Sequence, residues 1–365
     1  MKLENIDILN FKNIAEVSLE LSGGVNCFVG SNGMGKSNLL EGVHFLSLAR
    51  PMQSMPESGL IRHGEEMLLV KGRYDMGDDR REEVSIGITR GKAKKLLRNG
   101  KEYGRLSEHI GRFPIVAVTP SDPGLVTGAG EVRRKLLDVV ISQTDRSYLG
   151  RLIRYNRGLE SRNRMLRAGV RDKLLYESIE AGLAESAAEV FKARKEWTRD
   201  ITPVFNEYYA AVAGGREAVA LEYDSALADN DYRELLDRTR VKDTVLGFTT
   251  QGVHRDDLRM QMNGYSLRRT GSQGQLKSYV IALRLAIFDY VRRTTGITPI
   301  LLLDDIFDKL DSGRVANIMQ VVSGSGFGQI FITDTNREHL DETIAALSGD
   351  SRLFAVADGN FTPIS

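Results

Sequence analysis

The sequence predicts an α/β fold built in two halves around a helical insertion, and three observations carry the prediction. The apolar stretch "VNCFVG" runs straight into "GSNGMGKSNLLE" at 30–41, a strand feeding a glycine loop that opens a helix. Far downstream, "PILLLDDI" and "GQIFITD" read as buried parallel-type strands, because they are apolar without alternation. Between these halves, from Glu131 to about Ala213, strand signals vanish and apolar residues recur at helical spacing.

Taken in order, "KLENIDILNFKNI" alternates and "AEVSLEL" follows, which predicts two edge-type strands before the buried one. A helix is expected from Lys36 to about Ala49. Residues 67–119 look β-rich, with a hairpin signal at Asn99-Gly100 in "KKLLRNGKEY". "TPSDPGLVTGAG", at 119–130, is a cluster of turn residues and a boundary candidate. In the insertion, Leu149, Leu152, Ile153, Leu159 and Leu166 share one helical face. Leu175, Ile179, Leu183, Ala187, Val190 and Phe191 share another, so two long antiparallel helices should meet at a turn near Ala168-Gly169. Strands return around 216–265, with a second hairpin signal at Asn263-Gly264, and "LKSYVIALRLAIFDYVRRT" is a strong helix beginning near Leu276. The expected organisation is a first half of the head at 1–125, a helical arm at 126–215 and a second half at 216–365.

Composition removes several classes. The 365 residues are 41% hydrophobic and 27% charged, an ordinary balance for a soluble globular protein. Formal net charge is +1, so any binding to nucleic acid must come from a local patch. One cysteine, Cys27, cannot form an internal disulfide. No apolar run reaches the roughly 20 residues of a membrane helix, and the N-terminal stretch lacks signal-peptide character, so a cytoplasmic protein is expected.

Gly30, Gly35, Lys36 and Ser37 fit G-x-x-x-x-G-K-S in its required strand–loop–helix setting. Residues Gly30, Ser31, Asn32, Gly33, Met34, Gly35, Lys36, Ser37 and Asn38 should wrap the phosphates of ATP. Glycines let successive N–H groups turn inward, and the helix N-terminus adds partial positive charge. Lys36 should reach the β- and γ-phosphates, and the Ser37 hydroxyl should bind Mg2+. The apolar strand before Asp304-Asp305 delivers two carboxylates to the same sheet edge. Asp304 is the expected second Mg2+ residue, and Asp305 can orient or deprotonate the attacking water. A second phosphate-ready helix start, Ser272, Gln273, Gly274 and Gln275, has no phosphate left to hold if the first loop already encloses it. The economical arrangement is reciprocal, with Ser272 of one copy closing on the ATP held by Lys36 of another.

In that order, phosphate loop, S-x-G-Q, aspartate pair and "KLD" turn, the chain resembles the ATP-binding-cassette (ABC) ATPases. Along essentially its whole length it is similar to the RecF family of DNA-repair proteins. The stretches that carry this are "LNFKNI", "GSNGMGKSNLLEGVHFLSLAR", "LIRHGEE", "VRRKLLD", "YNRGLESRN", "GVHRDDL", "SQGQLKSYVIALRLA" and "LLLDDIFDKLD". The resemblance implies an ABC-type P-loop ATPase head with a short antiparallel, coiled-coil-like arm. It also implies ATP-dependent homodimerisation, slow hydrolysis, binding to duplex or single-strand/duplex junction DNA, and work with RecR to load recombinase at gaps. Some positions depart. Val253 stands where the family tends to have proline, and Asp305 is shorter than the glutamate usual in transporter cassettes. "FITDTN" offers Thr333 and Asp334 in place of a histidine, and Gln53 is only a loose candidate for the Q-loop glutamine.

Two basic concentrations are candidates for DNA. One is the hairpin with Arg90, Lys92, Lys94, Lys95, Arg98 and Lys101. The other is the first arm helix with Arg151, Arg154, Arg157, Arg162, Arg164 and Arg167. Either would contact phosphates without reading sequence. The His254-Arg255-Asp256-Asp257 cluster is expected to be a turn network rather than a catalytic group. The competing expectation is a membrane transporter's ATPase subunit. Its usual insertion is a small helical lobe, against which the long arm argues.

Overall fold

The computed structural model describes residues 1–52, 55–215, 217–307, 310–324, 326–346 and 350–364, so the Q-loop candidate Gln53 and Lys309 of the "KLD" turn lie outside the described residues. The chain divides into two compact units. The first holds Met1–Asp122, Tyr208–Arg216 and Lys277–Ser365, and the second Pro123–Glu207 and Glu217–Leu276. The first division falls inside the turn cluster at 119–130. Residues 217–276, expected with the head, pack instead with 123–207.

Among its described residues the first unit carries two six-stranded sheets. One is antiparallel, in the order Ile14–Glu20, Lys2–Phe11, Met67–Asp75, Arg81–Thr89, Lys95–Arg98, Lys101–Glu102. Its strands alternate buried and open positions, as Arg81–Thr89 does with Val84, Ile86 and Ile88 inward. Lys2–Phe11, expected at an edge, pairs on both sides. The turn at Asn99-Gly100 forms as expected, with φ of 50° and 75°, the left-handed pair a tight hairpin requires.

The other sheet runs Asn360–Ile364, Ser351–Ala357, Val25–Val29, Ile330–Asp334, Ile300–Asp304, Ile115–Val118. All its pairings are parallel except the edge hairpin of the first two strands. Ile300–Asp304 and Ile330–Asp334 are buried along their whole length, which is why they read as unbroken apolar runs. Parallel pairing sends the C-terminal ends of Val25–Val29, Ile330–Asp334 and Ile300–Asp304 to one edge. That register sets up the site.

The second unit is the arm with a three-stranded sheet, Tyr265–Ser266, Asp257–Met262 and Val219–Asp224. The helix Arg146–Arg167 ends in a left-handed Gly169, φ 63°. Gly169 N–H donates to Leu166 O and Val170 N–H to Met165 O, and Val170 packs against the cluster of Met165, Leu166 and Tyr176, so a Schellman turn reverses the chain. The return helix Lys173–Ala213 buries Leu183, Ala187, Val190, Trp197, Ile201 and Phe205 in three-four alternation. Ile153 and Leu175, expected on the buried faces, are 37% and 45% exposed. A separate helix, Gly130–Thr144, precedes the pair, divided from it by Asp145, whose side chain caps Ser147 N–H. The region read as strands also contains the helix Tyr232–Leu246, capped by Asp231 and closed by Gly247 at φ 72°. Both signals stand in "NDYRELLDRTRVKDTVLG"; its three-four spacing was overshadowed by the flanking strands.

Candidate functional site

The glycine loop leaves Val25–Val29 and enters the helix Lys36–Leu48, as the motif predicts. Two features explain its glycines. A Cβ on Gly30 would lie 2.2 Å from the Val356 carbonyl oxygen of the neighbouring strand, and Gly35 adopts φ 114°. Gly30→Ala should therefore force the loop off that strand, at a cost of about 1–3 kcal/mol. The expected outcome, checked by calorimetric melting and nucleotide titration, is a lower melting temperature and ATP affinity weakened roughly tenfold or more.

Lys36 is 6% exposed, and its ammonium donates to Gly30 O at 2.5 Å and Ser31 O at 2.9 Å. Burial lowers its pKa, against the pull of Asp305, Asp304 and Asp334, whose carboxylates favour the charged form. The Ser37 hydroxyl donates to Asp304 Oδ1 at 2.8 Å, joining positions 267 residues apart. Asp304 is 7% exposed and burial raises its pKa, opposed by hydrogen bonds from Thr333 and Ser37 and by the charge of Lys36. Asp305 follows in the left-handed region at φ 47°, uncommon for a residue with a side chain. A hydroxyl beside a carboxylate, with a lysine and loop N–H groups adjacent, is a hard-oxygen donor set suited to Mg2+ and a phosphate chain.

Two supports escaped the sequence reading. Asn13, in the turn between the first two strands, donates from Nδ2 to Gly33 O at 3.2 Å and accepts from Asn38 Nδ2 at 2.7 Å. Gly359, in the C-terminal hairpin turn, donates its N–H to Met34 O at 2.8 Å. The "LNFKNI" and "ADGN" turns were the available signals, but nothing local says what they touch.

Ser272, Gln273, Gly274 and Gln275 fall in the second unit. The helix starts at Gln273, earlier than the expected Leu276, because Ser272 and Gln275 form a capping box. Ser272 N–H donates to Gln275 Oε1 at 2.8 Å, and Gln275 N–H to Ser272 Oγ at 3.3 Å. The Gln275 amide also donates to Glu217 Oε1 at 2.6 Å. Ser272 and Gln273 are exposed, so this helix start faces solvent.

The basic arm helix is less available than its composition suggests. Arg162 is fully buried, donating to Glu180, Asp243 and Thr249 at 2.8 Å each. Arg151 pairs with Asp145 and Glu189, and Arg154 with Glu189. In the hairpin Lys94 is taken by Glu57 and the Ala49 carbonyl. Arg157, Arg164, Arg167, Lys92, Lys95 and Lys101 are exposed, and no ion pair to them occurs among the described residues.

The His254 cluster is the turn network expected. His254 Nε2 faces the Thr249 carbonyl at 3.0 Å, which can only accept, so Nδ1 accepts from the Tyr155 hydroxyl at 2.6 Å. Asp257 receives two bonds from Arg133, and Asp256 one from Tyr223. Burial pushes His254 down from 6.5 to about 4. The neutral ring thus supports the fold above pH 6.5, and that support is lost as pH falls toward 4. In melting across this range, His254→Gln should lessen the loss of stability by about 2–3 kcal/mol, leaving the share carried by the buried His44 and His109.

Residues 2–352 match the RecF/RecN/SMC N-terminal domain family. The chain is 45% identical over 364 residues to the DNA replication and repair protein RecF of Parabacteroides distasonis, covering 100% of both. It is 48% identical over 362 residues to that of Porphyromonas gingivalis, covering 98% of this chain and 99% of the relative. Among solved structures it is similar to the recombination mediator protein RecF-ATP in the RecFOR pathway, at TM-score 0.90 and 28% identity, covering 100% of this chain and 98% of that one. The Smc head domain of Pyrococcus furiosus, at TM-score 0.60 and 17% identity over 100% of this chain and 96% of that one, shares the fold. The architecture is an ABC-type ATPase head with a helical arm, and the chain belongs to the RecF family of DNA replication and repair proteins.

Proposed function

We propose that this protein is an ATP-switched DNA clamp, an ATPase in chemistry and a recombination mediator in purpose. The observation that carries the reading is the Ser37–Asp304 bond, which puts a loop hydroxyl and a strand-end carboxylate at one point beside Lys36. Mg2+, when bound there with the nucleotide, supplies charge stabilisation at the β- and γ-phosphates. Ser37 and Asp304 would hold it, Lys36 would turn from its loop carbonyls to phosphate oxygens, and Asp305 would orient or deprotonate the attacking water. The short reach of an aspartate there fits slow hydrolysis.

The exposed capping-box start at Ser272 and Gln275 supports closure on the nucleotide of a second copy, giving an ATP-dependent homodimer. DNA, duplex or single-strand/duplex junction, would lie on exposed cations that lack carboxylate partners among the described residues: Lys92, Lys95 and Lys101 in the hairpin, or Arg157, Arg164 and Arg167 on the arm. The likeness to RecF in the RecFOR pathway supports a RecR-type mediator as partner, and a cytoplasmic setting belongs to the same reading. The transporter alternative has no support: relatives that span the whole chain are DNA replication and repair proteins.

Light scattering with and without ATP-Mg2+, beside DNA binding across a salt series, tests the proposal. A monomer-to-dimer shift with ATP, accompanied by tighter salt-sensitive DNA binding, is expected. ATP binding without dimerisation and without any effect on DNA would overturn it.

A further inference from the structure

We infer that Thr333 is a positioning residue that holds both acidic residues of the site in register, a role that rests on the ATPase reading above. Thr333 lies at the end of the strand Ile330–Asp334, between the strand leading to the glycine loop and the strand ending in Asp304. Its side chain is fully buried, and its hydroxyl makes two bonds. It donates to Asp304 Oδ1 at 2.7 Å and accepts from the Asp305 backbone N–H at 2.9 Å. These directions are forced: a backbone N–H can only donate, so the hydroxyl's single proton goes to the carboxylate. The Thr333 carbonyl accepts from the same Asp305 N–H at 3.3 Å, so side chain and main chain both tie down the Asp304–Asp305 peptide.

The tie has two consequences. Asp304 Oδ1 receives two hydroxyl protons, from Ser37 and Thr333, and this fixes the rotation of the carboxylate in its strand-end position. Asp305 sits at φ 47°, a backbone state that L side chains rarely adopt, and its anchored N–H lies at that bend. Without the hydroxyl, the peptide loses its side-chain anchor, and the Asp305 carboxylate loses a defined approach to the reacting water. A residue chosen only for packing in this buried strand would be valine, which has the same branched shape and no hydroxyl.

The test compares Thr333→Val, which keeps the shape, with Thr333→Ser, which keeps the hydroxyl. Thr333→Val should lower kcat for ATP hydrolysis about 10- to 100-fold while leaving KM for ATP within about threefold, because the loop that grips the phosphates is untouched. Without nucleotide, hydrogen exchange in a peptide covering 300–306 should be faster in Thr333→Val than in the wild type. Thr333→Ser should restore both readings to near wild type. Wild-type kcat in Thr333→Val, or equal loss in Thr333→Ser, would overturn the positioning role. A wild-type protein that binds ATP without hydrolysing it would overturn the ATPase reading itself, and the inference with it. If Thr333→Val fails to fold, Thr333→Ala against Thr333→Ser makes the same comparison of hydroxyl lost and hydroxyl kept.

Discussion

Replacing Lys36 with arginine should lower ATP turnover by about a hundredfold or more, the scale on which removing one preorganised charge donor acts. The ammonium sits in a pocket fitted to a compact group, donating to the carbonyls of Gly30 and Ser31 from a buried position. A guanidinium is planar and larger, and its forked donors do not converge on two adjacent loop carbonyls as an ammonium does. Charge is kept, so nucleotide affinity should fall less than turnover. Single-turnover phosphate release, beside titration with a fluorescent ATP analogue, separates the two effects. Turnover within threefold of wild type would remove Lys36 from the reaction.

Ser272→Arg should abolish ATP-driven dimerisation while leaving ATP binding by the monomer within about threefold of wild type, since Ser272 lies on an exposed helix start in the unit that lacks the glycine loop. The substitution also removes the acceptor for Gln275 N–H, a capping loss of about 1 kcal/mol. The other half of the box, Ser272 N–H to Gln275 Oε1, uses the backbone of residue 272 and survives. The fold should therefore hold, as melting will show, and light scattering should report monomer at ATP concentrations that dimerise the wild type. A dimer of normal affinity would sink the shared-site arrangement.

The site was legible wherever chemistry follows from adjacent residues. Gly30 to Ser37 announces its own loop, because glycine freedom, a lysine and a helix N-terminus act over a few positions of chain. The strand ending in Asp304-Asp305 was legible for a related reason: a short apolar run closed by two carboxylates puts the charges at a sheet edge whatever its neighbours are. Caps were legible too, and the missed helix Tyr232–Leu246 carried its signals in Asp231 and Gly247. The strands Val219–Asp224 and Asp257–Met262 on either side mask them in the local pattern.

Partnership between distant segments was decided by the tertiary structure. Arg162 looks like one more cation on a basic helix, and only the fold encloses it between Glu180 and Asp243. Lys2–Phe11 alternates like an edge strand, and pairing with Met67–Asp75 makes it interior. Leu3 N–H donates to Gln329 Oε1 across 326 residues, and Ser37 reaches Asp304 across 267. The sequence alone determined where the chain forms a glycine loop opening a helix, because that depends on local backbone freedom and side-chain type. The tertiary structure decided which oxygen each donor there faces and which charges stay exposed, because burial and pairing are properties of packed strands and helices far apart in the chain.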